Sequence, residues 1–504
     1  MTALTDPPVK QGVGLRSERG PVLGAIMLTT ALIALDSTVI ATAVPTVVKD
    51  LGGFSQFPWL FSVYLLTQAV TVPIYGKLAD VVGRKPVLFF GVSVFVGSSV
   101  LCGFAWSMPA LIAARALQGI GAGAVQPIGM TIIGDLYSVE ERARVQGYIA
   151  SVWGISSVLG PTLGGLFSEY ASWRWIFFIN LPLGLVALVA LQRRFTEKVV
   201  HRTHRIDYTG AGLLTVGCSL LILGLLEGGT AWAWGSATSA VILGAAVVAL
   251  VAFVQVERRA EEPVLPLWVF RRRITVGANL VSLLVGALLI GLSSYVPTYV
   301  QGVLGTGAVE AGFVLGALTI GWPIAASQAG KLYLRIGFRN TALIGIAIAI
   351  VGTAWTALLV QTAPVLEVAA AMFVTGLGMG LSSSPVVVAV QSVVGWERRG
   401  VVTGTNMFFR AMGSAVGAAA FGAIANATLV HRYASAPADL HVTGKGVDAT
   451  THYLATPGPV ADFARSALYA ASHHVFLALA VSTAVTAGAI ALMPRHTTEL
   501  VFPD

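Results

Sequence analysis

Charge is what this sequence has least of. Asp, Glu, Lys and Arg together make up 11% of its 504 residues, less than half of the roughly 25% usual in soluble domains. So few charges cannot cover the water-facing surface of several domains, which excludes a cytosolic enzyme. A hydrophobic content of 56% excludes a disordered chain. Cysteine is almost missing too. Cys102 and Cys218 each stand in an apolar run without a metal-ligand neighbour, so no disulfide framework and no metal site is expected. The G-x-x-x-x-G-K-[ST] loop is absent, which removes an ATP-driven pump. No pairing of His with Ser or Asp stands out as a catalytic constellation, so an enzyme is not expected. The loops are too short for a signalling domain, which disfavours a sensor or receptor.

What the chain has is long apolar runs, with a mean hydropathy of +0.80. They lie at about 22–45, 57–76, 86–106, 108–132, 146–167, 174–192, 209–226, 236–256, 274–297, 310–330, 341–360, 364–391, 402–425 and 473–493. A helix needs about 20 residues to cross a ~30 Å hydrocarbon layer. The runs lack strand alternation, and bare backbone cannot face lipid, so fourteen helical spans are expected. Alternating sides from a cytoplasmic N-terminus places most of the 31 basic residues on one side. Only Lys49, Arg174, Arg432, Lys445 and Arg465 fall outside, and Arg115 and Arg410 lie within spans. This asymmetry supports an even span number with both termini cytoplasmic. It also explains the net charge of +8 without nucleic acid. Ala41-Thr42-Ala43 resembles a signal-cleavage site, but the apolar run before it is too long and contains Asp36, so cleavage is not expected. The long outer stretch, about 426–472, holds His431, His441 and His452 and reads as a solvated loop rather than a metal site.

The chain repeats itself. Gly76-Lys77-Leu78 and Gly83 recur as Gly330-Lys331-Leu332 and Gly337; Gly119, Gly121 and Gly123 recur as Gly376, Gly378 and Gly380; Glu141-Arg142 recurs as Glu397-Arg398. The expected domains are a tail (1–21), a six-helix bundle (22–192), a linker with two inserted spans (193–273, spans about 209–226 and 236–256), a second six-helix bundle (274–493) and a tail (494–504). Paired six-helix repeats around a central site are a transporter architecture.

Four motifs then carry a family resemblance: Gly76 to Lys85 (G-x-L-x-D-x-x-G-R-K), Arg115-Ala116-Leu117-Gln118-Gly119, Gly154 to Gly165, and Leu35-Asp36-Ser37-Thr38 through Pro45. The sequence resembles the major facilitator superfamily, and within it the fourteen-span drug:proton antiporters of the QacA/EmrB type. Ala41 stands where that family usually has Asn, so any role of that Asn is missing.

The resemblance implies a gating latch at Gly76, Asp80, Gly83, Arg84 and Lys85 that joins the halves in the outward-open state; the other reading is that Arg84 and Lys85 only fix topology. Asp80 can accept hydrogen bonds from a neighbouring helix N-terminus, where the helix dipole favours an anion. Leu334 occupies the matching place in the second half, so one acidic latch is available. In the antiporter motif, Gly154, Gly160, Gly164 and Gly165 permit close helix approach and Pro161 bends the helix. Such a segment can be pure packing, or a flexing point that seals the path. Asp36, Arg115 and Arg410 are ionisable groups within spans, where a charge defaults to a functional reading. Two roles are open to Asp36: proton coupling or contact with a cationic substrate, and a static ion pair. Arg115 is open to proton transfer or a structural hydrogen-bonding role, and Arg410 to a partner charge or to packing near the cytoplasmic third of its span. Glu227 and Glu310 read as solvated span ends.

The expected function is proton-coupled export of amphipathic small molecules, cations among them, by alternating access. The proton gradient is the energy source and no cofactor is needed. The expected setting is the inner (plasma) membrane, as a monomer. The alternative is an exporter dedicated to one endogenous metabolite, lipid or siderophore.

Overall fold

The computed structural model describes residues 13–52, 56, 59–197, 207–229, 231–437, 440, 442, 450, 453–454 and 458–495. Among these, fourteen helices are long and apolar enough to cross a membrane. They are α1 (Gly20–Leu51), α2 (Trp59–Val82), α3 (Arg84–Gly103), α4 (Met108–Leu136), α5 (Val139–Tyr170), α6 (Trp175–Arg194, broken at Ile179), α7 (Tyr208–Glu227), α8 (Ala237–Glu257), α9 (Arg273–Gly302), α10 (Ala308–Ile336), α11 (Phe338–Ala357), α12 (Val365–Ser392), α13 (Arg399–Ala434) and α14 (Pro459–Ala491).

Local chemistry starts several of them. Ser138 and Glu141 form a reciprocal capping box at α5. The Ser107, Asp207 and Ser236 side chains accept from backbone N–H groups at the starts of α4, α7 and α8. One glycine suffices to turn α2 into α3 and α10 into α11. Gly83 and Gly337 sit there at φ 102° and 83°, which a side chain rarely tolerates.

The two halves pack alike. In the first, α1 lies on α5 and α6, α4 on α2 and α3, and α3 on α6; in the second, α9 lies on α13 and α14, α12 on α10 and α11, and α11 on α14. These are the same pairs, eight helices on. The repeated glycines explain why. A Cβ on Gly119 would stand 2.4 Å from the Tyr64 carbonyl oxygen of α2, and one on Gly376 would stand 2.2 Å from the Leu318 carbonyl oxygen of α10. Lipid offers no hydrophobic drive between helices, so this close backbone approach is what dispersion packing requires.

The result is two six-helix bundles plus two central helices. Across the seam, α5 packs on α10, and α13 packs on α2 and α4. The inserted α7 and α8 pair with each other, and α7 also touches α2 and α13. Leu214, Cys218 and Ile222 of α7 share one apolar cluster with Ala69, Val70, Met407, Phe408 and Met412, so the insert covers the α2/α13 seam. Lys77 reaches Glu262 at 3.3 Å and ties the segment after α8 to α2.

One difference from the apolar-run reading is helix length. α13 runs to Ala434 and α14 starts at Pro459, so both ends of the stretch 426–472 are helical rather than loop. Hydropathy sees only the part that meets lipid. His431, Arg432, Asp462 and Arg465 stand on helix that continues beyond the apolar runs. His441 and His452 lie outside the described residues. Among the described residues no group of His, Cys, Asp or Glu could hold a metal ion. Glu310 is exposed in the first turn of α10, as expected of a span end. Glu227, expected to be solvated, is 8% exposed, because the turn after α7 folds back over it. Burial there raises its pKa.

Candidate functional site

The mid-helix charges form one closed network and one separate cation. Asp36 is 4% exposed and Arg115 1%. Asp36 Oδ2 accepts from Arg115 Nη1 at 2.5 Å, and Oδ1 accepts from Gln118 Nε2 at 2.8 Å and Asn180 Nδ2 at 3.3 Å. Arg115 also donates to Gln118 Oε1 at 2.7 Å and to the Leu60 carbonyl at 3.2 Å, and its guanidinium lies 4.2 Å from the Tyr64 ring centroid. Asn180 in turn donates to Ser99 Oγ at 3.0 Å, which donates to the Phe177 carbonyl at 2.9 Å. Five side chains from α2, α3, α4 and α6 thus form one network around the α1 carboxylate within the first bundle. Asp36 and Arg115 stand as an ion pair in this arrangement.

Asp36 differs from its peers. Every other carboxylate of the fourteen helices, among the described residues, lies in the first or last turn of its helix. Asp36 alone is placed where a charge needs a full set of partners to persist.

Arg410 is not part of this network. It sits in α13 of the second bundle, half-buried, with its guanidinium 5.5 Å from the Trp322 ring centroid of α10.

The second cluster lies at the end of the bundles where Arg19 and Arg495 also sit, here termed the basic face. Asp80 of α2 crosses to the other bundle. Its Oδ1 and Oδ2 accept from the Gly400 and Val401 backbone N–H groups at 2.9 and 2.8 Å, at the start of α13. Those amides have no intrahelical partner, and the dipole end of α13 favours an anion. Arg84 stands beside Asp80 at 2.8 Å, donates to the Trp396 carbonyl at 2.6 Å and stacks 3.8 Å from the Trp396 ring centroid. Gly76 makes room for this, since a Cβ there would lie 2.7 Å from the Gly400 carbonyl oxygen. Lys85 donates from Nζ to the Gln192 carbonyl at 3.0 Å.

Sequence reasoning missed several partners here. Asp135, at the end of α4, accepts from Arg399 Nη1 at 2.8 Å and from Arg84 Nε at 3.1 Å. Glu197 accepts the Arg84 and Lys85 backbone N–H groups at 2.9 Å each, capping α3. Gln391 donates to the Met130 carbonyl at 3.1 Å, and the Tyr333 hydroxyl donates to the Val139 carbonyl. The Glu141/Glu397 repeat marked this neighbourhood, since both copies flank these contacts.

The antiporter-motif glycines divide their work. A Cβ on Gly154 would meet the Thr319 carbonyl of α10 at 3.1 Å, and one on Gly160 would meet Thr38 Oγ1 of α1 at 2.0 Å. α5 is therefore wedged between its own bundle and the other. Nothing lies within 4 Å of a Cβ on Gly165, so close approach is not its role. Gly164 is buried in the same helix, and the side chain of Pro161 lies outside the described residues. Ser157 Oγ and Thr319 Oγ1, 3.3 Å apart, join α5 to α10 well away from the basic face.

The comparisons agree with this architecture. The family model of the Major Facilitator Superfamily matches residues 26–418. The multidrug transporter protein MdtP of Bacillus subtilis (strain 168) is 36% identical over 416 residues, 82% of this chain and 76% of that protein. Multidrug resistance protein 3 of the same organism is 36% identical over 403 residues, 80% of this chain and 78% of that protein. The efflux pump dotC of Dothistroma septosporum (strain NZE10 / CBS 128990) is 31% identical over 470 residues, 89% and 79% of the two chains. Among solved structures, the human organic anion transporter MFSD10 (TETRAN) superposes with a TM-score of 0.64 at 15% identity, covering 96% of this chain and all of that one. At that identity the likeness concerns the fold alone. The motifs, the paired six-helix bundles and these relatives lead to one conclusion: this chain is a transporter, not an enzyme, and belongs to the Major Facilitator Superfamily.

Proposed function

We propose that the protein is a proton-coupled secondary exporter of amphipathic small molecules, working as a monomer in the plasma membrane with both termini in the cytoplasm. The observation that carries this reading is the Asp36–Arg115 pair, held by side chains and backbone of five helices. A proton on Asp36 removes the countercharge of Arg115 in a site of low dielectric. The pair and the helices that frame it then favour a different arrangement, so the proton binds the two arrangements unequally. That inequality is what coupling requires. The Asp80 latch supports alternating access. It fastens the bundles at the basic face, and breaking it frees α13 from α2. With that face cytoplasmic, the Asp80 contacts with α13 act as a closure on the cytoplasmic side. Relatives named as multidrug transporters and efflux pumps support export.

The test is dye accumulation in everted vesicles, with and without a protonophore. Proton-driven uptake by the wild type and its loss in Asp36→Asn are expected. Undiminished proton-driven uptake in Asp36→Asn removes Asp36 from the coupling role. Uptake indifferent to the protonophore overturns proton coupling itself.

A further inference from the structure

The exporter reading leaves the chemical class of the substrate open. The charge inventory of the space between the bundles narrows it. α10 and α13 are the helices of the second bundle that pack most extensively on the first, through α5 and α2. Trp322 and Arg410 belong to these two helices and meet across the gap between them. Both are near mid-helix. Arg410 is eleven residues from the start of α13, about 17 Å along its axis, and Trp322 is fourteen residues from the end of α10, about 21 Å along it. Trp322 lies one turn from Thr319, whose hydroxyl meets Ser157 of the first bundle. The guanidinium is thus set in the layer where the bundles face each other.

No carboxylate answers it. α9 and α13 contain none, α10 has only Glu310 and α12 only Glu367, each in the first turn of its helix. Glu310 is about 18 Å along the axis from Trp322. Across the seam, Asp80 is spent on α13 backbone and Arg84, Asp135 on Arg84 and Arg399, and Glu141 on Arg19. Asp36 is neutralised by Arg115. Among the described residues, the side chain of Arg410 makes no hydrogen bond or ion pair and has the ring of Trp322 as its one partner. Among the described residues, the central layer therefore carries the uncompensated positive charge of Arg410 beside the ring of Trp322.

A ring face compensates a cation far less than a carboxylate does. A guanidinium offers a planar fork of donors suited to an oxyacid, and Trp offers a surface for an aromatic body. We infer that the substrate this site accepts is an amphipathic organic anion, its acidic group on Arg410 and its apolar body against Trp322. This rests on the exporter reading and replaces the cationic substrates expected from the sequence, which would meet like charge here.

The test is equilibrium binding to purified full-length protein in lipid nanodiscs, read by fluorescence anisotropy. The probes are carboxyfluorescein as anion and ethidium as cation, with wild type, Arg410→Lys and Arg410→Gln. Monodisperse elution and an unchanged melting temperature qualify each variant. Wild type is expected to bind carboxyfluorescein at least tenfold more tightly than ethidium. Arg410→Gln is expected to lose tenfold or more of that affinity, and Arg410→Lys to keep most of it. Should Arg410→Gln fail to fold, Arg410→Lys and Trp322→Ala carry the comparison, with Trp322→Ala weakening the anion severalfold. The inference is overturned if wild type shows no saturable carboxyfluorescein binding or prefers ethidium. It is also overturned if loss of the positive charge, or of the Trp322 ring where Arg410→Gln does not fold, changes carboxyfluorescein affinity less than twofold. Gradient-driven uptake in proteoliposomes separates the two claims. Binding of the anion without proton-driven transport of it defeats the coupling reading and leaves this one standing. Proton-driven uptake of ethidium that ignores Arg410 does the reverse.

Discussion

Asp36 Oδ2 and Arg115 Nη1 are 2.5 Å apart, and the residues are 4% and 1% exposed. Removing one member of a buried pair leaves the other uncompensated, at a cost of about 3–5 kcal/mol. Asp36→Asn is therefore expected to lower the melting temperature as well as abolish proton-driven transport. Asp36→Asn with Arg115→Gln removes both charges and is expected to regain most of the stability without regaining coupling. Thermal unfolding in detergent and vesicle uptake, measured on the same three proteins, separate the two effects. Coupling that returns with stability in the double variant assigns the pair to structure alone.

The latch yields a second prediction. Hydrogen bonds to a charged acceptor contribute about 1.5–3 kcal/mol each, and Asp80 accepts two from the start of α13. Asp80→Ala is expected to raise the opening of this end at least tenfold. Hydrogen exchange of peptides spanning Trp396 to Thr405 reads this directly. Exchange unchanged from wild type shows that Arg84, Asp135 and Arg399 hold the bundles together without Asp80.

How much of this could be read in advance depended on the range of the interaction. Fourteen apolar runs announced fourteen helices, because lipid thickness sets a length that hydropathy can count. The use of Asp80 as an acceptor at a helix start was readable in kind, since a carboxylate beside a tight turn has few other uses. Its partner helix was not. Asp135, Glu197 and Arg399 went unnoticed because each looks like an ordinary charged span end until folding brings α3, α4 and α13 together. Nothing in the sequence singles out Asn180 or Tyr64, and their place around Asp36 and Arg115 is a matter of tertiary structure. The solvated loop expected at 426–472 failed at its ends for the opposite reason, because helix continues where hydropathy stops.

Glycines separate tight contact from family signature. A Cβ on Gly376 would stand 2.2 Å from the Leu318 carbonyl oxygen, whereas one on Gly165 would meet nothing within 4 Å. Overpacking of a close contact costs about 1–3 kcal/mol. Gly376→Ala is expected to lower the melting temperature by several degrees, and Gly165→Ala to leave it within error. If Gly165→Ala nevertheless slows transport with stability intact, the end of the antiporter motif acts by flexing and not by packing.

The opposite face supplies the control for any pH profile assigned to Asp36. Asp50, near the end of α1, accepts from Arg174 Nη1 at 2.7 Å and from Trp173 Nε1 at 3.0 Å. These bonds, that of Arg174 first, hold its carboxyl below the ordinary value of 3.8. A lowered folded value means the contact adds stability above the ordinary pKa and loses it as pH falls through the lowered one. Near neutrality Asp50 stays charged in both forms and contributes nothing that varies. Its side chain is 48% exposed, so the pair is worth little in any case. Asp50→Asn is expected to leave the pH profile of transport superimposable on wild type, while conservative replacement of Asp36 by Glu displaces it. A profile that moves with Asp50 as well would mean that the ends of α1 and α6 opposite the basic face take part in proton entry, and that the buried pair does not set the pH dependence alone.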